Sequence, residues 1–226
     1  MMKDELKDKL KELLEKLPNY FEENELAYYS SQCKNEQQIR DRIAWQLHKD
    51  LTLNQEHGEE YVVRREWAPE GFGKKKVDLA ILKMDSNKEK VETVIALIEF
   101  KAQSIARREQ WYQDEFIRDV EKMRIMKHKS EICKDAVLFF VFLETGQGNK
   151  AKEYKSVLAF SKYEDGCVFC NDPQDKNYLD AVKSHWKDFE GLLGDKITIH
   201  DPIAIDIGEA FGYKLYISPL LIGPII

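Results

Sequence analysis

An unbroken apolar run, Ala136–Leu143, constrains the fold of this chain more than any other feature. Consecutive apolar residues without alternation are typical of a strand buried on both faces, so its sheet needs a layer packed on each side. Residues 107–128 precede the run and have a helical pattern, with an apolar face predicted at Phe116, Ile117, Val120 and Met123. A strand reached through a helix is typically parallel to the strand before it, through a right-handed crossover.

Three further strands and another helix are predicted upstream of this run. The strands are Tyr61–Trp67, Val77–Met84 and Val91–Lys101, separated by turn sequences, which is the pattern of a β-meander. Residues 35–51 form the helix, with Ile39, Ile43 and Leu47 on its apolar stripe. The order is helix, three strands, helix, strand, which predicts an α/β fold with a mixed sheet flanked by helices.

The chain is long enough for one large domain, and we predict a single domain over residues 1–226. Its core spans about 35–145, an amphipathic helix occupies 3–17, and 146–226 is a C-terminal α/β elaboration. Within that elaboration we expect a helix over Asp175–Leu193 and strands at Lys196–Ile199 and Tyr213–Ile217. The apolar end of the chain, 217–226, is expected to pack on the body or on a second subunit.

Net charge and hydrophobicity limit the classes of function that are expected for this chain. The net charge of −6 and the pI near 5.5 count against a generic nucleic-acid binder, although residues 101–129 contain eight Lys or Arg against five acids. Arg64-Arg65 and Lys74-Lys75-Lys76 both precede Asp78 in the sequence. These basic residues could form a strip beside Asp78, or they could be ordinary solvent-exposed side chains. No apolar stretch is long enough to cross a bilayer, and the first residues lack the pattern of a signal peptide, so we expect a cytoplasmic protein.

The four cysteines are expected to be free thiols in that compartment. Cys167 and Cys170 form an isolated Cys-x-x-Cys, and a zinc site would need a second pair of ligands at suitable spacing. We therefore favour structural thiols over zinc or redox chemistry.

The residues that indicate chemistry are Asp78, Glu99 and Lys101. Side chains alternate faces along a strand, so Glu99 and Lys101 point the same way and Phe100 points into the opposite layer. If the two strands pair, Asp78 joins Glu99 and Lys101 at one edge. Two hard oxygen ligands beside an ammonium are what a magnesium-dependent phosphodiester hydrolase needs.

In that interpretation Asp78, Glu99 and the Phe100 carbonyl hold Mg²⁺ or Mn²⁺. Lys101 orients or deprotonates the attacking water, or stabilises the charged transition state. The alternative is a surface salt bridge of little energetic value.

Other polar residues are candidates for supporting roles. Glu36 projects toward the core side of its helix, either to reach a metal or its bound water or as an acid favoured by the helix N-terminus. Gln103 shares the face of Lys101 and could hold a phosphate or a water. The nucleic-acid-binding candidates are Arg107, Arg108, Lys122 and Lys75.

This set resembles the PD-(D/E)xK phosphodiesterase superfamily, the restriction-endonuclease-like fold, over roughly residues 35–145. The resemblance rests on Asp78, on Glu99-Phe100-Lys101 and on the order of elements around them; Val77 stands where that motif has proline. It implies an αβββαβ core with the acid pair on the second and third strands, and a further acid on the first helix, which Glu36 matches. Many members also have polar residues on the next helix, which Asp119 and Lys122 match, and Asp119 is then expected to contact Lys101.

The resemblance implies metal-dependent cleavage of nucleic acid, DNA more often than RNA. A nuclease is the first hypothesis, and a nuclease-fold binding module with a weak or inactive site is the alternative. A third interpretation is a small acidic α/β protein in which the motif is accidental. A homodimer is plausible because cutting both strands of a duplex needs two active sites.

Overall fold

The computed structural model describes residues 3–31, 35–53, 60–85, 87, 89–104, 110–147, 203–210 and 213–225, with a few isolated residues between 176 and 187. The helices are α1 (Lys3–Glu15), α2 (Glu25–Ser31), α3 (Asn35–Leu53) and α4 (Gln110–Lys129). The strands are β1 (Tyr61–Trp67), β2 (Val77–Met84), β3 (Val91–Ser104), β4 (Val137–Gln147), β5 (Ile205–Ala210) and β6 (Tyr213–Ile225).

The protein is mixed α/β, and its described residues form a six-stranded sheet in the order β1-β2-β3-β4-β6-β5. The first three strands form an antiparallel meander, and β4 is parallel to β3, as predicted. α4 connects this parallel pair, which is what an α-helical crossover between parallel strands requires. Strands β6 and β5 then continue the sheet in antiparallel fashion beyond β4.

Two hydrophobic clusters cover the two faces of the sheet. On one face the leucines of α1 and the apolar stripe of α3 pack against strand residues such as Leu79, Ile98 and Phe139. On the other face α4 packs Phe116, Val120 and Met123 against alternate residues of the same strands. β4 contributes to both clusters, so the interpretation of Ala136–Leu143 as a strand buried on both faces is confirmed.

The apolar end of the chain packs on the body, which is one of the two expected alternatives. The expected strand at Tyr213–Ile217 is longer than predicted: β6 runs from Tyr213 to Ile225 and pairs along most of β4. Its residues are largely buried, because they complete the sheet next to the most apolar strand. The strand over Lys196–Ile199 lies outside the described residues, and those described between 176 and 187 are helical, within the helix expected over Asp175–Leu193.

Two local expectations were wrong or incomplete. Ile117 is 39% exposed, because it lies one position past Phe116 and so turns away from the sheet. The short helix α2 and the strand β5 were not predicted, since neither has a long periodic pattern. Cys133 is a buried free thiol, as expected, while Cys33, Cys167 and Cys170 lie outside the described residues. Among the helices that the structure describes, none has the length and apolar character needed to span a membrane.

Candidate active site

The acid pair lies on two neighbouring antiparallel strands. Leu79 of β2 is opposite Ile98 of β3, and continuing this register by one residue brings Asp78 alongside Glu99. The backbone N–H of Phe100 donates a hydrogen bond of 2.8 Å to Oδ2 of Asp78. Phe100 itself is buried in the cluster on the opposite face, as the strand alternation predicts. The expected meeting of Asp78 with the Glu99-Phe100-Lys101 segment is therefore observed.

α4 contributes an acid and a lysine to the same place. Asp119 contacts the ammonium groups of two lysines, Lys101 at 3.2 Å and Lys122 at 3.1 Å. Nζ of Lys122 also lies 2.6 Å from Oε1 of Glu99. Glu115, one turn before Asp119, is 3.8 Å from Nζ of Lys101. The predicted contact between Asp119 and Lys101 is confirmed, and Lys122 belongs to the site rather than to an exposed basic surface.

α3 reaches the site from the other side with Glu36 and Arg40. Oε2 of Glu36 accepts a 2.9 Å hydrogen bond from the backbone N–H of Ala102, directly after Lys101. Arg40 lies one turn further along the helix and donates to Oδ1 of Asp78 at 3.2 Å. Arg40 is 8% exposed, so this guanidinium is a buried cation. Its position could have been found in the sequence, because residues four apart share a helix face with Glu36.

A further acid of the site, Glu66, was missed in the sequence analysis. It lies on β1 between Arg65, which is opposite Leu79, and Trp67, which is opposite Val77, and so it is next to Asp78 across the strands. Its carboxylate contacts Arg40, and its φ of 51° is in the left-handed region that side chains rarely adopt. Glu66 could have been found only from the register of the β1–β2 hairpin, and the local sequence pattern does not determine that register.

Burial dominates the electrostatics of Glu99. Removal from water, and then the nearby charge of Asp78, raise the pKa of Glu99 to about 9 despite the contact with Lys122. Burial also raises the pKa of Glu36. For Lys101, burial lowers the pKa, but the surrounding acids, first Asp119, outweigh it, so the pKa lies above its usual value. The pKa of Lys122 is raised in the same way by Glu99 and Asp119.

The donor chemistry is compatible with a hard divalent cation. Mg²⁺ is usually held by one or two carboxylates plus waters and substrate phosphates, and Asp78 and Glu99 supply two. Burial, and then repulsion from Asp78, raise the pKa of Glu99, and a divalent cation would offset both by favouring the charged form. Among the described residues no three His, Cys, Asp or Glu side chains form a metal-binding group. Instead, Arg40 and Lys122 hold the two carboxylates.

The remaining candidates are Gln103, Arg107, Arg108 and Lys75. Gln103 is paired with Glu144 through its backbone on β3, but its side chain lies outside the described residues, as do Arg107 and Arg108. Lys75 is exposed in the segment between β1 and β2, a few residues before Asp78. The roles given to these four stay predictions.

No family model matches the chain, and neither the curated proteins nor the solved structures contain a match.

Proposed function

We propose that the protein is a metal-dependent nuclease that hydrolyses phosphodiester bonds, with DNA as its expected substrate. The observation that carries the proposal is the convergence of Asp78, Glu99 and Lys101 on one face of two paired strands, with a buried Glu99 whose pKa is raised. Buried acids with strongly shifted pKa values cluster at functional sites more often than at structural ones.

The observed element order supports the superfamily resemblance. α3, β1, β2, β3, α4 and β4 follow one another as helix, meander, helix and parallel strand. The acids lie on the second and third strands of the meander, and Glu36 lies on the preceding helix. We therefore propose that the chain has a restriction-endonuclease-like core of the PD-(D/E)xK type.

In this proposal Asp78, Glu99 and the Phe100 carbonyl would hold Mg²⁺ or Mn²⁺. When bound, the metal would supply Lewis-acid activation of a water and would offset negative charge on the scissile phosphate. Arg40, once released from Asp78, provides a planar cation for a phosphate oxygen. Glu36 fixes the strand after Lys101 through its hydrogen bond to the Ala102 N–H.

Lys101 is better suited to supply charge than to remove a proton. Its raised pKa keeps the ammonium protonated at neutral pH, whereas a general base must be deprotonated. Asp119 and Glu115 hold the ammonium beside the acid pair. Of the roles open at the sequence level, orienting the water and stabilising the transition state are the ones we propose.

The second candidate is a nuclease-fold binding module without catalysis. It is favoured by one observation: Arg40 and Lys122 already form ion pairs with Asp78 and Glu99 within the chain. If these protein cations permanently take the place of a metal, the site keeps the geometry of its acids but does not hydrolyse phosphodiesters.

One experiment separates the two candidates. Wild type, Asp78→Ala and Glu99→Ala are titrated with Mn²⁺ and Mg²⁺ while thermal unfolding is followed, and each is assayed on labelled single- and double-stranded DNA and RNA. The exposed Glu131→Gln is the matched control, since Glu131 is 93% exposed in its side chain and remote in sequence from the acid pair. A metal-dependent rise in Tm with cleavage, both lost in the two site variants alone, supports the nuclease. A rise in Tm without cleavage supports the binding module, and no rise contradicts the metal site.

A further inference from the structure

We propose that the groove between α3 and β1 binds unpaired nucleotides of a single-stranded nucleic acid, with a base stacked on Trp45 and phosphates held by Arg64 and Arg65. The inference rests on the proposed nuclease function and specifies the form of its substrate. It assigns an entry path that leads to the acid pair.

The groove consists of two adjoining cavities. One, of about 420 Å³, is lined by α3 and β1 and includes Trp45, His48 and Val62. The other, of about 510 Å³, includes Arg40 and Glu66. Because Val63, Arg64 and Arg65 line both cavities, the two form one continuous depression along β1.

Trp45 is the aromatic element of this groove. It is 57% exposed, although α3 buries most of its other large apolar side chains against the sheet. Its ring lies 5.8 Å from that of His48 at an angle of 34°, which leaves the indole at the groove wall. An exposed tryptophan in a concave basic site is suited to base stacking, because every base has a π-face.

The charge of the groove is complementary to a phosphate backbone. Its charged lining residues are Arg40, Arg64, Arg65, Asp41 and Glu66, so cations exceed acids by one on a chain of net charge −6. Arg65 is held by Asp41, with Nη1 2.6 Å from Oδ2. Within the described part of the chain, Arg64 is exposed and has no ion pair. In proteins that bind single strands, cations contact the phosphate backbone while aromatic side chains stack on the bases, and Arg64 and Trp45 are suited to these two roles.

The groove is continuous with the candidate active site through Arg40. Arg40 lines the second cavity and donates to Asp78, so a strand lying along β1 passes directly to the carboxylates. A duplex hides its base faces in its own stack, so stacking on Trp45 requires unpaired bases. The groove therefore selects single strands or frayed ends.

Binding is measured with the full-length protein in chelator, where no cleavage occurs, by the fluorescence anisotropy of a labelled single-stranded oligothymidine. Trp45→Ala is expected to weaken binding about tenfold, and Trp45→Phe to retain most of it, because a phenyl ring still stacks. Arg64→Ala is expected to weaken binding and to reduce the salt dependence by about 0.7 in the log–log slope. The controls are Tyr28→Ala, an aromatic 53% exposed that lines neither cavity, and the exposed Lys134→Ala.

A second readout separates this inference from the nuclease proposal. A small chromogenic phosphodiester has no base to stack on Trp45, so its hydrolysis with Mn²⁺ should be kept by Trp45→Ala and lost by Asp78→Ala. Wild-type oligothymidine binding without hydrolysis of the small diester would support the groove and overturn the nuclease. Equal oligothymidine binding by wild type and Trp45→Ala would overturn the groove, whatever the hydrolysis result. Equal affinity for a blunt duplex and for the single strand would overturn it as well.

Discussion

Nζ of Lys122 lies 2.6 Å from Oε1 of Glu99, so a side chain of α4 stands directly against the buried acid of β3. Both side chains are largely shielded from water, at 18% and 4% exposure. Even so, burial and the neighbouring Asp78 raise the pKa of Glu99 to about 9, so the lysine only partly compensates the acid. This imbalance makes Glu99 costly to ionise.

Replacing Glu99 with glutamine should therefore stabilise the metal-free protein. A carboxyl group with a folded-state pKa above its unfolded value contributes stability that is present below about pH 4.5 and is lost as the pH rises through about 9. Glutamine cannot ionise, so the gain should be small in acid and should grow toward pH 9, reaching about 1–3 kcal/mol near neutrality. The free energy of unfolding, measured in chelator across this range, tests it.

The exposed Glu131→Gln is the control for that series, and its free energy of unfolding should stay within about 0.5 kcal/mol of wild type. A Glu99→Gln protein that is less stable than wild type at every pH would show that the contact with Lys122 outweighs burial.

Replacing Asp78 with asparagine should have the opposite effect and destabilise the protein. Its two carboxylate oxygens accept from the Phe100 N–H and from Arg40, and an amide retains one acceptor for two donors. Losing one of these contacts in a largely buried place should cost about 1–3 kcal/mol in the free energy of unfolding. The matched control is Asp206→Asn, which should change little because Asp206 is exposed and, within the described part of the chain, accepts a hydrogen bond from the Gly208 N–H alone. A stabilised Asp78→Asn would contradict the assignment of these hydrogen bonds.

The strands and long helices of the core were predictable because their signals are local. Alternation and apolar runs gave β1 and β2 with the bounds observed, and helical periodicity located α3 and α4 to within a few residues. Asp78, Glu99 and Lys101 could be placed together because strand alternation and a meander suffice to align them.

What the sequence could not supply were contacts that depend on pairing between distant segments. Glu66 reaches the site through the β1–β2 register and an unusual backbone angle, neither of which is visible in its neighbours. The predicted strand at Tyr213–Ile217 continues to Ile225 because β4 offers an apolar edge more than 60 residues earlier, which local polarity does not reveal. Arg40 was the avoidable omission, since it lies four residues after Glu36.

Substitutions of Lys101 can distinguish two roles for this side chain, a fixed positive charge and a proton-transfer group. Because its pKa is raised, we expect it to act as a fixed charge, so Lys101→Arg should keep hydrolysis of a small phosphodiester within about tenfold of wild type. Lys101→Met should lose about 100- to 1000-fold, the scale of removing one electrostatic contact to a transition state. The rate is followed with Mn²⁺ across the neutral range. Equal losses in both variants would instead favour proton transfer by the lysine.

Asn35 fixes the end of α3 from which Glu36 and Arg40 reach the acid pair. Its buried amide donates to the hydroxyls of Ser30 on α2 and Thr145 on β4, at 3.1 and 3.2 Å. Asn35→Ala removes both donors from a residue only 3% exposed, so the free energy of unfolding should fall by about 1–3 kcal/mol. Because Glu36 is the next residue, catalysis of the small diester should fall as well, while the exposed Asn19→Ala should change neither quantity. Denaturant unfolding and initial rates on the same preparations test this, and a fully stable Asn35→Ala protein would show that α3 is positioned by its apolar stripe alone.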